Sequence, residues 1–177
     1  MSAQNWFTQT FTKVALTAQY AGSTGLFTVG TSLVSKKNRV EFGLLYGRVP
    51  RFAGGVNNSL VFKFVYNPFQ LKLSDKVLLE PLQGSLFINQ NFSKDFGVFW
   101  DKKYPKGYYW WNRSTRFHFS ISTQISHRLK AKHIEKLTWY MEANTNDLYL
   151  SSYLENINSF MPHEIFFLGT GIKVYLK

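Results

Sequence analysis

Residues 116–126 read RFHFSISTQIS, and this stretch decides the fold class. Its odd-numbered positions carry Phe117, Phe119, Ile121 and Ile125 beside one threonine, whereas every even-numbered position is polar. Successive side chains of a β-strand point to opposite faces of a sheet. The stretch therefore predicts a strand with one apolar face and one polar face.

The same alternation recurs in seven other segments. They cover residues 13–20, 26–33, 39–47, 59–67, 77–91, 136–144 and 166–176. Segment 77–91 contains Pro81, which cannot donate to a sheet ladder and therefore indicates a bulge or a strand start. Because no segment has a convincing helical period, the sequence predicts an all-β fold of about eight strands.

The joins between these segments alternate in length. Short lysine-bearing turns are expected around residues 36–38, 74–76 and 130–132, and long joins at 48–58, 94–115 and 153–164. The first join, residues 21–24, is the short exception. Short turns on one rim and long loops on the other are typical of an antiparallel up-and-down barrel. A chain of 177 residues suits one such domain, covering 1–177 with residues 1–11 as an N-terminal segment.

Composition excludes several classes of protein. A hydrophobic share of 45% with 18% aromatic residues excludes a disordered chain. The absence of cysteine excludes disulfides, thiolate zinc sites and a cysteine nucleophile. Polar residues interrupt every apolar run, which excludes a transmembrane helix but leaves a transmembrane β-barrel open.

The polar face of the strands favours a membrane barrel. It carries mostly Gly, Ser, Thr, Gln and Asn, which suits a narrow lumen better than a solvated face. The apolar face places Tyr20, Tyr46, Tyr66 and Trp139 toward strand ends, and such rings favour a membrane interface. A soluble lipocalin-like barrel, with the apolar face turned inward, is the less favoured alternative.

With these features the chain resembles the small eight-stranded outer-membrane barrels of Gram-negative bacteria. The closing GTGIKVYLK, residues 169–177, looks like the terminal strand that such barrels offer to their assembly machinery. The stretches RVPRFAGGVNN, 48–58, and EANTNDLYLSSYLEN, 142–156, are similar to barrels of Bacteroidota. The resemblance implies a bacterial outer-membrane location with periplasmic termini, and as partners outer-membrane lipid, lipopolysaccharide and other outer-membrane proteins.

Charges on the polar face predict a network inside the barrel. Glu41 and Lys63 lie on neighbouring predicted strands, as do Arg116 and Glu142, with Lys173 one strand further on. Buried charges are costly unless paired, so we expect pairing that plugs the lumen. His118, beside Arg116, is expected to make a structural hydrogen bond, because the four histidines lack metal-ligand spacing.

The join from 94 to 115 predicts a contact surface. It interleaves aromatic rings with cations, namely Trp100, Lys102, Lys103, Tyr104, Lys106, Tyr108, Tyr109, Trp110, Trp111 and Arg113. This composition also suits single-stranded nucleic acid, but no nucleic-acid-binding fold accompanies it. We expect the loop to contact lipopolysaccharide or a neighbouring protein and not nucleic acid.

Catalytic residues are not predicted. Lipid A deacylases need an adjacent His-Ser pair with an acidic partner, and residues 151–171, although faintly similar to the deacylase C-terminal region, lack that pair. Ser126-His127 is the only Ser-His step and flanks a predicted turn. The favoured hypothesis is a non-enzymatic membrane anchor or accessory subunit of a larger outer-membrane complex, without cofactor or metal. A lipid A-modifying enzyme is the alternative.

Overall fold

The computed structural model describes residues 10–53, 55–92, 114–157 and 161–177. Nine strands and one α-helix account for most of them. The strands are β1 (Phe11–Ala21), β2 (Phe27–Ser35), β3 (Val40–Val49), β4 (Asn57–Tyr66), β5 (Leu71–Lys72), β6 (Val77–Phe92), β7 (Thr115–Arg128), β8 (Ile134–Asn146) and β9 (Phe167–Leu176). The helix is α1 (Asp147–Glu155), and single 3₁₀ turns cover Arg51–Ala53 and Pro162–Glu164.

Eight of the strands form a closed antiparallel barrel. Each pairs with its neighbours in the chain, β4 pairs directly with β6, and β1 pairs with β9 to close the sheet. The two-residue β5 adds only to the edge of β6. The all-β fold, the antiparallel pairing and the number of barrel strands predicted from the sequence are therefore confirmed.

The barrel has two different rims. The terminal rim carries both ends of the described chain, Thr10 and Lys177, with the connections 36–39, 67–76 and 129–133. The loop rim carries the connection 22–26, residues 50–53, 55–56, 147–157 and 161–166, and the ends of β6 and β7. The β4–β6 connection is longer than the expected turn around 74–76. Pro68 cannot continue the β4 ladder, and β5 then folds back on β6.

Pro81 lies at a bulge. The β6–β7 register shifts between Glu80 and Gln83, so both side chains face the interior although they are three positions apart. The register shift confirms the bulge that Pro81 predicts in this strand.

The strand faces have opposite chemistry. The inward positions carry buried polar side chains, among them Thr17, Gln19, Thr28, Ser32, Ser59, Gln83, Ser85, Ser120, Ser122, Gln124, Ser126, Thr138 and Asn144. The outward positions carry exposed apolar side chains, among them Val14, Leu16, Val29, Leu33, Phe42, Leu44, Phe62, Leu86, Ile88, Phe119, Ile121 and Ile125. Among the described residues, buried apolar side chains form two small clusters, Ala15–Val34–Tyr175 and Leu45–Val61–Phe87. The outer face, which we call the wall, is apolar, and the interior is polar.

The helix α1 was not expected from the sequence. It begins after Asn146, whose side-chain Oδ1 accepts a hydrogen bond from the Tyr149 backbone N–H at 3.0 Å, and it buries none of its residues. Because a helix without a buried face has no apolar stripe, its periodicity is weak. Over the described ranges, the structure contains no helix with the length and apolar character needed to cross a membrane.

Candidate functional site

Three ion pairs occupy the interior of the described barrel. Lys63 on β4 contacts Glu142 on β8, and their side chains are only 10% and 1% exposed. Lys173 Nζ on β9 donates to both carboxylate oxygens of Glu41 on β3, at 3.0 and 2.9 Å. Lys136 Nζ lies 3.8 Å from Glu80 Oε2. Three cations thus face three carboxylates, so the formal charges of these described interior residues cancel.

Two of these ion pairs, Lys63–Glu142 and Lys173–Glu41, cross the lumen. The sequence pattern suggested that Glu41 would pair with Lys63 on the adjacent strand, but each instead bonds a residue on the far side of the barrel. Lys63 lies opposite Gly43 and diagonal to Glu41 in the β3–β4 ladder. Because glycine adds no side chain there, the long lysine extends across the narrow interior.

Arg116 does not join this network. Its Nη1 lies 3.8 Å from Asp147 Oδ2 at the start of α1, so the expected pair with Glu142 is wrong. Glu142 pairs in register with Ser122 on β7. Ser122 lies six residues from Arg116 along that strand, which is about 20 Å at the usual rise of a strand. Arg116 therefore lies at the loop rim, far from the middle of the barrel.

His118 lies inside the barrel but forms no ion pair among the described residues. Its ring stacks on Phe87 with centroids 4.6 Å apart. Its Nδ1 has no hydrogen-bond partner in the described part of the chain. Stacking thus holds the ring, and the hydrogen bond expected beside Arg116 is not formed at this atom.

Sequence reasoning missed a second polar group near the terminal rim. Gln124 and Asn67 both donate to the Glu80 carboxylate, and Lys136 Nζ lies 4.1 Å above the centroid of the Tyr175 ring. Lys136 and Glu142 both occupy even-numbered positions of β8, which face the interior. The alternation of β8 therefore predicts the inward position of Lys136. The inward position of Glu80 could not be predicted from the alternation. The bulge at Pro81 exchanges the inward-facing positions of β6 from even-numbered to odd-numbered residues.

The interior is filled at the level of the ion pairs. Tyr140 lies over Gly171, where an added Cβ would approach the ring to 2.7 Å, and its hydroxyl donates to Gln19 Oε1 at 2.7 Å. The cavity left between Glu41, Lys63 and Lys173 is about 10 Å³, room for about one water molecule. The described barrel therefore has no open channel at this level.

A recess of about 500 Å³ opens at the loop rim. Its described lining includes Asn57, Asn91, Asn146, Tyr149 and Phe167, with no His, Asp or Glu. These residues offer amide and hydroxyl groups to the recess but no carboxylate or imidazole that could act as a general base.

The Ser126-His127 step is not a catalytic pair. Ser126 is fully buried and its Oγ is hydrogen-bonded to Thr138 Oγ1 at 2.7 Å, whereas His127 is exposed on the opposite face of β7. A nucleophile needs its base within hydrogen-bond distance. Within the described ranges, no group of three metal-ligating side chains comes together.

The predicted loop contact surface lies outside the described residues. This applies to Trp100, Lys102, Lys103, Tyr104, Lys106, Tyr108, Tyr109, Trp110, Trp111 and Arg113.

Aromatic residues are spread over the wall. Tyr20 and Tyr46 lie near the loop rim and Tyr66 near the terminal rim, as expected, and Tyr46 donates to Asn58 at 2.8 Å. Trp139 differs from the expectation, since it lies midway along β8 opposite Ile125 and Ile172.

No protein-family model, curated protein or solved structure matches the chain.

Proposed function

We propose that this chain is a bacterial outer-membrane β-barrel that acts as a non-enzymatic membrane anchor or accessory subunit of a larger outer-membrane complex. In this arrangement the wall contacts acyl chains and the terminal rim faces the periplasm. One observation carries the proposal: a closed barrel with a polar interior and an apolar wall.

The energetics of the wall favour a bilayer as its surroundings. Soluble monomers rarely expose a continuous apolar patch above roughly a few hundred Å². Here large apolar side chains are exposed on all eight barrel strands. The strands have 9 to 16 residues, and about 9 to 11 tilted residues suffice to cross the hydrocarbon layer. Closure leaves no unpaired sheet edge in lipid.

The filled interior limits what the barrel can do. The ion pairs and Tyr140 occupy the space through which a solute would pass. The rims and the wall remain as working surfaces, which favours an anchor or subunit over a channel. We assign the principal contact surface to segment 94–115, on the sequence argument that its rings and cations suit lipopolysaccharide or a protein neighbour.

Purification in mild detergent tests this function. We expect the tagged chain to be recovered with a stoichiometric outer-membrane protein, and the Trp110→Ala/Trp111→Ala variant to lose that partner. Large rings at an interface dominate binding energy, so the loss should be at least tenfold. The measurement is quantitative mass spectrometry of the recovered complex, with heat-modifiable gel migration showing that the variant barrel is folded.

Two results would contradict the proposal. A chain that is folded and monomeric in plain buffer would argue against membrane insertion. Recovery of the barrel alone, together with altered lipid A on expression, would favour the lipid A-modifying alternative.

A further inference from the structure

In the described part of the chain, the net positive charge is concentrated on the terminal rim. The full chain has a formal net charge of +11. The described part of this rim contains ten Lys or Arg residues and two acidic residues, Asp75 and Glu135, so about eight of these charges lie there.

The other described regions are balanced. The interior holds three lysines and three glutamates. The described loop rim holds three arginines and three acidic residues, namely Arg48, Arg51, Arg116, Asp147, Glu155 and Glu164. The excess of cations over acidic residues is thus specific to the terminal rim, because the described interior and loop rim have equal numbers of each.

Eight of the terminal-rim cations are exposed and have no ion-pair partner among the described residues. We call this set the cationic rim: Lys36, Lys37, Arg39, Lys76, Arg128, Lys130, Lys132 and Lys177. The other two are paired, Lys13 with Glu135 and Lys72 with Asp75, each at 2.8 Å. All three terminal-rim connections and the end of β9 contribute, so the cations surround the barrel opening.

Apolar side chains interrupt the cationic rim and continue the wall. Leu129 is exposed between Arg128 and Lys130, and Leu71 and Leu73 are exposed on the connection that also carries Lys76. A ligand that covers this boundary needs an anionic group next to hydrocarbon. A phospholipid has its phosphate at that depth, whereas an acidic protein segment would leave the leucines in water.

We propose that the cationic rim binds the phosphate groups of anionic phospholipids in the leaflet that faces the terminal rim. This inference rests on the proposed membrane insertion and names the headgroup chemistry of one leaflet. Lysine and arginine stems lie along apolar surface while their charged ends reach the phosphate layer. The interaction is therefore expected to weaken with salt.

Electron paramagnetic resonance of spin-labelled lipids tests the proposal. The full chain is reconstituted in phosphatidylcholine vesicles with a trace of spin-labelled phosphatidylglycerol or spin-labelled phosphatidylcholine. We expect the association constant of the barrel for spin-labelled phosphatidylglycerol to be at least about threefold that for phosphatidylcholine, since each surface cation contributes measurably to anionic lipid binding. Raising the salt from about 0.05 to about 0.5 M should remove most of this preference.

A matched pair of variants locates the effect. Lys130→Gln/Lys132→Gln removes two charges from the cationic rim, and Arg48→Gln/Arg51→Gln removes two exposed charges from the loop rim. We expect the first variant to reduce the preference by half or more and the second to retain it. Equal loss in both variants would overturn the proposal, because it would reflect net charge alone.

The vesicle experiment separates this inference from the proposed function. A wild-type barrel that inserts but immobilises both lipids equally would overturn the lipid proposal, keep the membrane proposal, and leave an acidic protein surface as the partner of the rim. A barrel that enters neither kind of vesicle would overturn both.

Discussion

The Lys63→Met variant is expected to lose about 3–5 kcal/mol of unfolding free energy, because it leaves Glu142 charged and without its partner inside the barrel. Glu142 is 1% exposed, and its other described hydrogen bond comes from Ser120 Oγ at 3.1 Å. One hydroxyl does not replace an ammonium group at low dielectric. Urea unfolding of the reconstituted barrel, followed by heat-modifiable gel migration, measures the change.

Two further variants show whether the cost comes from the unpaired charge. Lys63→Met/Glu142→Gln removes both charges and should recover most of the lost free energy. Lys13→Met breaks a pair of the same chemistry whose side chains are 22% and 25% exposed, and should cost about 1 kcal/mol or less. A loss in Lys63→Met no larger than in Lys13→Met would contradict the assignment of a buried pair.

The second large effect is expected on the wall. Leu44 lies in the middle of β3, opposite Thr31 and Phe62, with its side chain facing outward and 46% exposed. In a bilayer, Leu44→Arg should cost about 2–4 kcal/mol, since the charge would lie near the hydrocarbon midplane. In water the same change would alter stability by about 0.5 kcal/mol or less. Urea unfolding in vesicles distinguishes the two values.

Leu73→Arg is the control for this substitution. Leu73 is also exposed but lies on the terminal rim, in the connection between β5 and β6. Near the interface an arginine is expected to cost about 0–1 kcal/mol. Similar small effects at Leu44 and Leu73 would show that the middle of the wall faces water.

The sequence predicted the strands well because each strand contacts a different medium on each face. In residues 116–126 every even-numbered side chain is polar, and the structure turns those from His118 to Ser126 into the barrel. Pro81 marked the bulge for a reason local to the chain, its missing N–H. Such features depend on neighbours in sequence and can be recognised without a structure.

The partners inside the barrel were harder to predict because they depend on contacts across the lumen. Nothing in the sequence around Lys63 indicates that its partner lies on β8. Barrel closure and strand stagger determine which side chains meet across the lumen. Glu80 was hidden by the change of parity at the bulge. The helix α1 has no buried face and therefore no apolar period that a sequence pattern could reveal.

A spin-label scan of β7 tests membrane insertion most directly. The chain contains no cysteine, so a single cysteine at each position from 117 to 125 can be labelled without background. In vesicles, labels at the outward positions Phe119, Ile121 and Ile125 should collide often with oxygen and rarely with a water-soluble nickel chelate, since oxygen concentrates in hydrocarbon. Labels at the inward positions Ser120 and Ser122 should collide little with either. Outward labels that collide with the nickel chelate as often as a label at Lys130 on the terminal rim would contradict the account.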